Sequence, residues 1–253
     1  SWRTMTIAGE QLCLKSPCKI NLCLEVSQEI TGGYHQIQTV LQAIDFSDYL
    51  EFANRKNLRV TIDHRSSVSF GMKPIKENLI FHAAQLLAKE LSVQQGAWIN
   101  LRKHVPLSAG VGGGSSNAAT TLVGLNQLWN LGLSLTDLRS FAAQLGSDVP
   151  FFLSGGTALA TGIGTDIRQL PSNRMDWALL VFPGEDHVTH NKTASMYKMI
   201  DELEIEGSST FGYRSNALAR RIIGGHKVKG YLFNSFEQVM ANAFPHHREF
   251  KEK

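Results

Sequence analysis

Residues 105–119 read V-P-L-S-A-G-V-G-G-G-S-S-N-A-A, and the interpretation of the chain turns on them. Four glycines, Gly110, Gly112, Gly113 and Gly114, fall within five positions. Glycine accepts positive φ and lets a ligand come close to the backbone. Ser115, Ser116 and Asn117 follow, all good N-cap types. An apolar-periodic run then begins: Ala118, Leu122, Leu125 and Trp129 share one helical face. A glycine loop feeding a helix N-terminus offers unpaired N–H groups and the positive end of a helix dipole, which suits phosphate. A plain flexible linker also uses glycine and serine, but it seldom leads straight into so regular a helical face.

Single residues exclude the common phosphate and nucleophile loops. The Walker pattern needs Lys then Ser or Thr after its last glycine, and Ser115 follows Gly114 directly. The dinucleotide pattern G-x-G-x-x-G counted from Gly110 needs glycine at 115. The protein-kinase strings H-R-D and D-F-G do not occur. A hydrolase elbow centred on Ser115 needs glycine where Asn117 stands. What remains, P-x-x-x-G-x-G-G-G-S-S-x-A-A from Pro106 to Ala119, resembles the phosphate loop of the GHMP small-molecule kinases.

The rest of the composition is compatible with that resemblance. At 253 residues the chain makes one large or two small domains. It is 43% hydrophobic and 19% charged, as soluble globular proteins are. A net charge of +3 without a basic stripe argues against nucleic acid as partner and suits an anionic small molecule. No apolar run approaches the roughly 18 residues of a membrane span. The N-terminal S-W-R-T-M-T-I-A-G-E lacks the apolar core of a signal peptide. Cys13, Cys18 and Cys23 recur every five residues, so on a strand Cys18 faces away from the other two. They form no metal set, and free thiols in a reducing cytoplasm are expected.

Along the chain, Leu12 to Val26 reads as a strand. Ile20, Leu22, Leu24 and Val26 alternate with Lys19, Asn21, Cys23 and Glu25, which share the polar face. T-G-G-Y-H (31–35) is a glycine turn followed by Tyr34, able to stack on a flat ligand, and His35, able to read a base edge. Leu58 to Asp63 and Trp98 to Lys103 read as strands. Asn78 caps a helix to Leu91, with Leu79, Ala83, Leu86, Leu87 and Leu91 as its buried stripe. Ser134 and Asp137 make a capping-box start, and Gly146 ends that helix. Asp148, in S-D-V-P-F-F-L, is either a local turn acceptor or a catalytic carboxylate on spacing alone. Thr157 to Leu170 reads as a hairpin, Trp177 to Phe182 as a buried strand, and Thr193 to Glu202 as a helix.

Further blocks extend the resemblance over nearly the whole chain. S-P-C-K-I-N-L, G-Y-H, G-S-D-V-P-F-F and N-S-F-E are similar to blocks of the GHMP branch whose acceptor is a CDP-linked methylerythritol. The resemblance implies an α+β, two-lobed fold. Its first lobe (1–170), of a type shared with a ribosomal protein domain, would bind ATP and catalyse. Its second (171–253), ferredoxin-like and incomplete, would serve the substrate held in the cleft between them. The family adds a glycine-rich M-S-G-S-G-type segment near its C-terminus, whereas no glycine follows Gly230 in these 253 residues. By resemblance Lys19 and Asp148 are catalytic. Pro106, Gly110, Gly112, Gly113, Gly114, Ser115 and Ser116 meet the ATP phosphates, and Asn78 and Lys103 lie beside the nucleotide. Asn21, Tyr34, His35, Thr193 and Tyr197 bind the acceptor. Mg²⁺ would accompany ATP, with no protein metal ligand assigned. Two alternatives keep the loop: a GHMP kinase for another small alcohol, which does not predict G-Y-H beside K-I-N-L, and a catalytically silent nucleotide-binding homologue.

Overall fold

The computed structural model describes residues 5–8, 11–63, 75–107, 109–172, 177–182, 192–202, 211–237 and 239. The chain divides into two compact units, residues 1–20 with 42–156 and residues 21–41 with 157–253. Compactness thus makes three cuts along the chain, rather than the single one expected near residue 170. Two long strands, β2 (Gln11–Thr31) and β3 (Tyr34–Arg55), contribute to both units. They are joined by Gly32 and Gly33, both at positive φ (62° and 84°), as a type I′ hairpin turn requires.

In the first unit the strand order is β1 (Met5–Ala8), β2, β3, β5 (Gly96–Arg102), β4 (Arg59–Asp63). β4 and β5 are parallel neighbours, so the chain between them needs a crossover, and α1 (Leu79–Glu90) lies in that connection. Alternate residues of the paired strands enter the core: Leu50 and Phe52 of β3, Ala97, Ile99 and Leu101 of β5. α1 packs with α2 (Gly113–Leu128) and α3 (Leu135–Leu145), and both of these pack with α4 (Val149–Ser154). The capping box of α3 is present, with Ser134 and Asp137 each accepting from the other's backbone N–H. The Ser134 hydroxyl and N–H also hold the Asp137 carboxyl below the usual carboxylate range.

Two local expectations change. α2 starts inside the glycine run and not after the serines. Its N-cap is Gly112, at φ 73°, because an αL glycine lets the chain enter the helix three residues before Ser116. The buried stripe of α1 is Ile80, Ala83, Ala84 and Leu87, while Leu79 and Leu86 are half-buried and Leu91 is exposed. Apolar residues occur on more than one face of this helix, and the face bearing two alanines permits the close approach. The polar face of β2 lies inside the protein, with Lys19, Cys23 and Glu25 all buried.

The second unit takes the distal half of β2, the start of β3, and the hairpin β6 (Thr157–Thr161) and β7 (Asp166–Leu170). It also holds α5 (Lys192–Glu202), α6 (Tyr213–Ile223) and β8 (Phe233–Asn234), which pairs parallel with β2 at Cys23 and Leu24. Leu24, Val26, Ile200, Phe236 and Val239 form its core. Glu25 is buried but satisfied, accepting from the Ser215 N–H and hydroxyl and the Arg214 N–H at the start of α6. The expected buried strand at Trp177 to Phe182 is an irregular exposed segment, with Trp177 and Leu179 94% and 89% exposed. An apolar run becomes a buried strand only where a neighbour supplies hydrogen bonds and cover, and most of this run stays exposed. Residues 183–191 and the charged run 240–253 lie outside the described residues.

Helix α2 approaches β3 through Gly124, where a Cβ would lie 2.4–2.7 Å from three ring atoms of Phe52. Gly124→Ala gains about 1 kcal/mol of helix propensity but meets an overpacking cost of about 1–3 kcal/mol. Urea denaturation should show a net loss of stability, and a stabilised variant would refute this packing.

Candidate active site

The first unit brings the glycine loop, Lys19 and Asp148 together. The loop leaves β5 through Lys103–Val105 and turns at Gly110 and Gly112, both at φ near 73°. It is tied to β2 by a backbone bond from Lys19 N–H to the Val111 carbonyl, 2.9 Å. This places the Lys19 side chain against the loop: a Cβ on Gly112 would meet Lys19 Cγ at 3.2 Å and the Phe152 ring at 2.8 Å. Asp148 immediately precedes α4, and Gly146, where α3 ends, accepts the Val149 N–H. Its Oδ2 lies 3.6 Å from Lys19 Nζ. The Lys19 side chain is buried, whereas that of Asp148 is 38% exposed. An ammonium and a reachable carboxylate therefore stand beside a run of backbone N–H groups at a helix N-terminus. This arrangement can take a phosphate and a hydroxyl together.

The other residues assigned to the nucleotide differ in availability. Gly110 and Gly114 are exposed and Ser115 is half-buried. Ser116 is fully buried, and its hydroxyl lies 2.9 Å from that of Ser16, which donates to Asn117 Oδ1 at 2.8 Å. Asn78 caps α1, its Oδ1 accepting the Ile80 N–H at 2.9 Å. Lys103 is buried, donating to Asp48 Oδ2 at 2.6 Å and to the Val105 carbonyl. Pro106 starts the loop and is half-buried. Beneath the loop, Cys18 packs with Val105 and Val111. Burial pushes its thiol up to about 11, so it stays neutral near pH 7.

The residues assigned to the acceptor all belong to the second unit. His35 Nδ1 lies 2.8 Å from the Ser27 carbonyl, to which it donates, and Nε2 lies 3.3 Å from Asp201 Oδ1. The Tyr197 ring stacks on His35 (5.2 Å, 11°) and meets Phe236 edge-on. Tyr34 is 65% exposed. Asn21 donates to the Thr39 hydroxyl, which donates to the Cys23 carbonyl. Thr193 lies on α5, where the side chains of residues 192–195 are outside the description.

Two residues missed in the sequence hold this site, Ser16 and Asp48. Ser16 shares strand parity with buried Leu12, Leu14 and Cys18, and Asp48 shares it with Leu50 and Phe52. A polar residue in register with an apolar face must have a buried partner. That signal was present in the sequence, although the partner's identity was not.

The family described as GHMP kinases N terminal domain matches residues 78–156, from the cap of α1 to the end of the first unit. The chain is 36% identical over 241 residues to the 4-diphosphocytidyl-2-C-methyl-D-erythritol kinase of Shouchella clausii (strain KSM-K16), covering 95% of this chain and 77% of that protein. It is 35% identical over 258 residues to the enzyme of the same name from Geobacillus sp. (strain WCH70), covering 96% and 81%. A crystal structure of 4-(cytidine 5'-diphospho)-2C-methyl-D-erythritol kinase matches with a TM-score of 0.67 at 27% identity, over 94% of this chain and 80% of that one. The α+β architecture and its glycine loop are thus those of the GHMP kinases. Within that class, the chain belongs to the 4-diphosphocytidyl-2-C-methyl-D-erythritol kinase family.

Two loop glycines separate backbone strain from packing. Alanine at either φ costs about 1–2 kcal/mol, but Gly110 has no atom within 4 Å of its Cβ position, whereas Gly112 meets Phe152 and Lys19. Gly112→Ala should therefore be less stable than Gly110→Ala by about 1 kcal/mol or more in chemical denaturation. Equal losses would remove the steric argument.

Proposed function

We propose that this chain transfers the γ-phosphoryl group of ATP to the 2-hydroxyl of 4-diphosphocytidyl-2-C-methyl-D-erythritol, giving the 2-phosphate and ADP. That reaction is a step of the non-mevalonate route to isoprenoid precursors. The observation carrying the proposal is the Lys19–Asp148 pair, 3.6 Å apart and set against the glycine loop. The names of the relatives supply the acceptor.

Phosphoryl transfer asks for positioning and charge neutralisation more than for covalent chemistry. The N–H groups of the first turn of α2 have no partner within the helix. Those of Gly113, Gly114 and Ser115 bind the phosphates, with Gly110 and Gly112 shaping the approach. Ser116 contributes burial and not a hydroxyl, because its hydroxyl is engaged with Ser16. Asp148 accepts the proton of the acceptor hydroxyl or orients it. Lys19 stands beside that carboxylate and stabilises charge on the transferring group. Tyr34 and His35 hold the cytosine, with Tyr197 fixing the His35 ring, and Asn21 and Thr193 help place the polyol. Mg²⁺ arrives with ATP. Among the described residues no group of three His, Cys, Asp or Glu could hold it. Nucleotide oxygens, water and a serine hydroxyl would make up most of its shell. Among the described residues no helix is long and apolar enough to cross a membrane, and the charged substrates suit a cytoplasmic enzyme.

Asp148→Asn is nearly isosteric, and its position is 38% exposed, so the fold should tolerate it. Turnover in an ADP-release assay with the CDP-linked acceptor should fall about 10²–10⁴-fold, with ATP affinity changed by less than about threefold. Near-normal turnover would overturn the assignment of Asp148.

A further inference from the structure

Asp48 is fully buried in β3, in register with Leu50 and Phe52. A carboxylate in such a place needs partners on both oxygens, and it has them. Lys103 Nζ donates to Oδ2 at 2.6 Å, while the backbone N–H groups of His104 and Val105 donate to Oδ1 at 2.7 and 2.8 Å. Lys103 also donates to the Val105 carbonyl. All these donors belong to the three residues between the end of β5 and Pro106. The far end of the loop rests on the same residues. A Cβ on Gly113, the first residue of α2, would meet Val105 Cγ1 at 3.1 Å and Lys103 Nζ at 3.3 Å. One carboxylate therefore holds the start of the loop directly, and the start of α2 through Lys103 and Val105.

We propose that Asp48 is a positioning residue for the phosphate loop, and that Lys103 serves as its counter-ion and not as a ligand of the nucleotide. The proposal rests on the reading of 110–115 as the ATP phosphate loop. The direction of the N–H groups in a short loop is set by where its two ends are anchored. A displacement near 1 Å of a positioning group can cost about 100-fold in rate. The carboxylate is suited to both tasks, with one oxygen for the ammonium and the other for the paired N–H groups. Asparagine would keep the second function and leave the ammonium buried and unpaired. Methionine at 103 would then remove that charge.

The test uses the full chain with Asp48→Asn, Lys103→Met and the double variant. Readouts are ATP affinity by calorimetry without acceptor, KM for each substrate, and amide hydrogen exchange over residues 104–116. Asp48→Asn should weaken ATP binding and raise its KM about tenfold, with KM for the acceptor within about twofold. Exchange over 104–116 should become about tenfold faster while α3 is unchanged. The double variant should recover ATP affinity to within about threefold of the parent, because an acceptor for the His104 and Val105 N–H groups remains and the unpaired charge is gone. If Asp48→Asn only lowers the melting temperature, with ATP affinity and loop exchange unchanged, the proposal falls. It also falls if Lys103→Met weakens ATP binding and the double variant does not restore it, since Lys103 would then be a ligand. Should Asp48→Asn not fold, Asp48→Asn/Lys103→Met against Asp48→Leu/Lys103→Met carries the test. Both pairs lack the charges, and only the first should keep ATP affinity and slow loop exchange. If the parent chain itself binds no ATP, the kinase reading falls, and exchange over 104–116 still decides the role of Asp48.

Discussion

The constraint on which the candidate site depends is at Gly112. Its φ of 73° is accessible to glycine with little strain, and the Phe152 ring and the Lys19 stem leave no room for a side chain. This one position lets the chain stop being loop and become helix, so the first turn of α2 opens at the glycines. The same contact sets Lys19 beside that turn, and the Lys19 N–H bond to Val111 ties strand and loop together. Phe152 belongs to α4, which begins next to Asp148. The loop, the lysine and the carboxylate are therefore not three separately placed features. They converge because a glycine permits a strand, a loop and a short helix to meet at one point.

Around that point two buried polar sets are matched. The Asp48 carboxylate takes the Lys103 ammonium and two backbone N–H groups, and Ser16 links Ser116 with Asn117. Glu25 does the same work in the second unit, at the start of α6. Buried polar groups left unmatched are costly, so each matched set restricts the backbone to the geometry that matches it. This is how a loop of glycines, flexible by composition, acquires a definite shape. The exposed run 177–182 is the counterexample, since its side chains are apolar and carry no such constraint.

What the sequence made legible was local. The glycine run, the Asn78 cap, the Ser134–Asp137 box and the paired glycines of the β2–β3 turn are each decided within a few residues. What it left open depended on partners distant in the chain. Strand parity put Ser16 and Asp48 on apolar faces, but Ser116 is 100 residues from Ser16 and Lys103 is 55 from Asp48. Ser115, Ser116 and Asn117 are better cap types than glycine, yet α2 starts ahead of them, because backbone freedom at Gly112 overrides that preference. The stripe of α1 was misjudged because apolar residues occupy more than one of its faces, and tertiary packing chose the face with two alanines. The run 177–182 had the composition of a buried strand, but a strand is buried by its neighbours and not by its own composition.

Two ion pairs flank the phosphate loop, and their difference separates structure from chemistry. Lys103 and Asp48 are both buried and 2.6 Å apart, whereas Lys19 and Asp148 stand 3.6 Å apart with Asp148 over a third exposed. Removing one partner of a buried, hydrogen-bonded pair costs about 3–5 kcal/mol, whereas the Lys19–Asp148 pair is longer and its carboxylate reaches solvent. The tight pair therefore cannot turn to a ligand without loosening the loop it anchors. In the proposed reaction the longer pair would be the one to meet a phosphate and a hydroxyl, because its carboxylate can be reached. Charge proposed to act on a substrate is better placed in a pair with a reachable member, and in this chain that pair is the one beside the glycines.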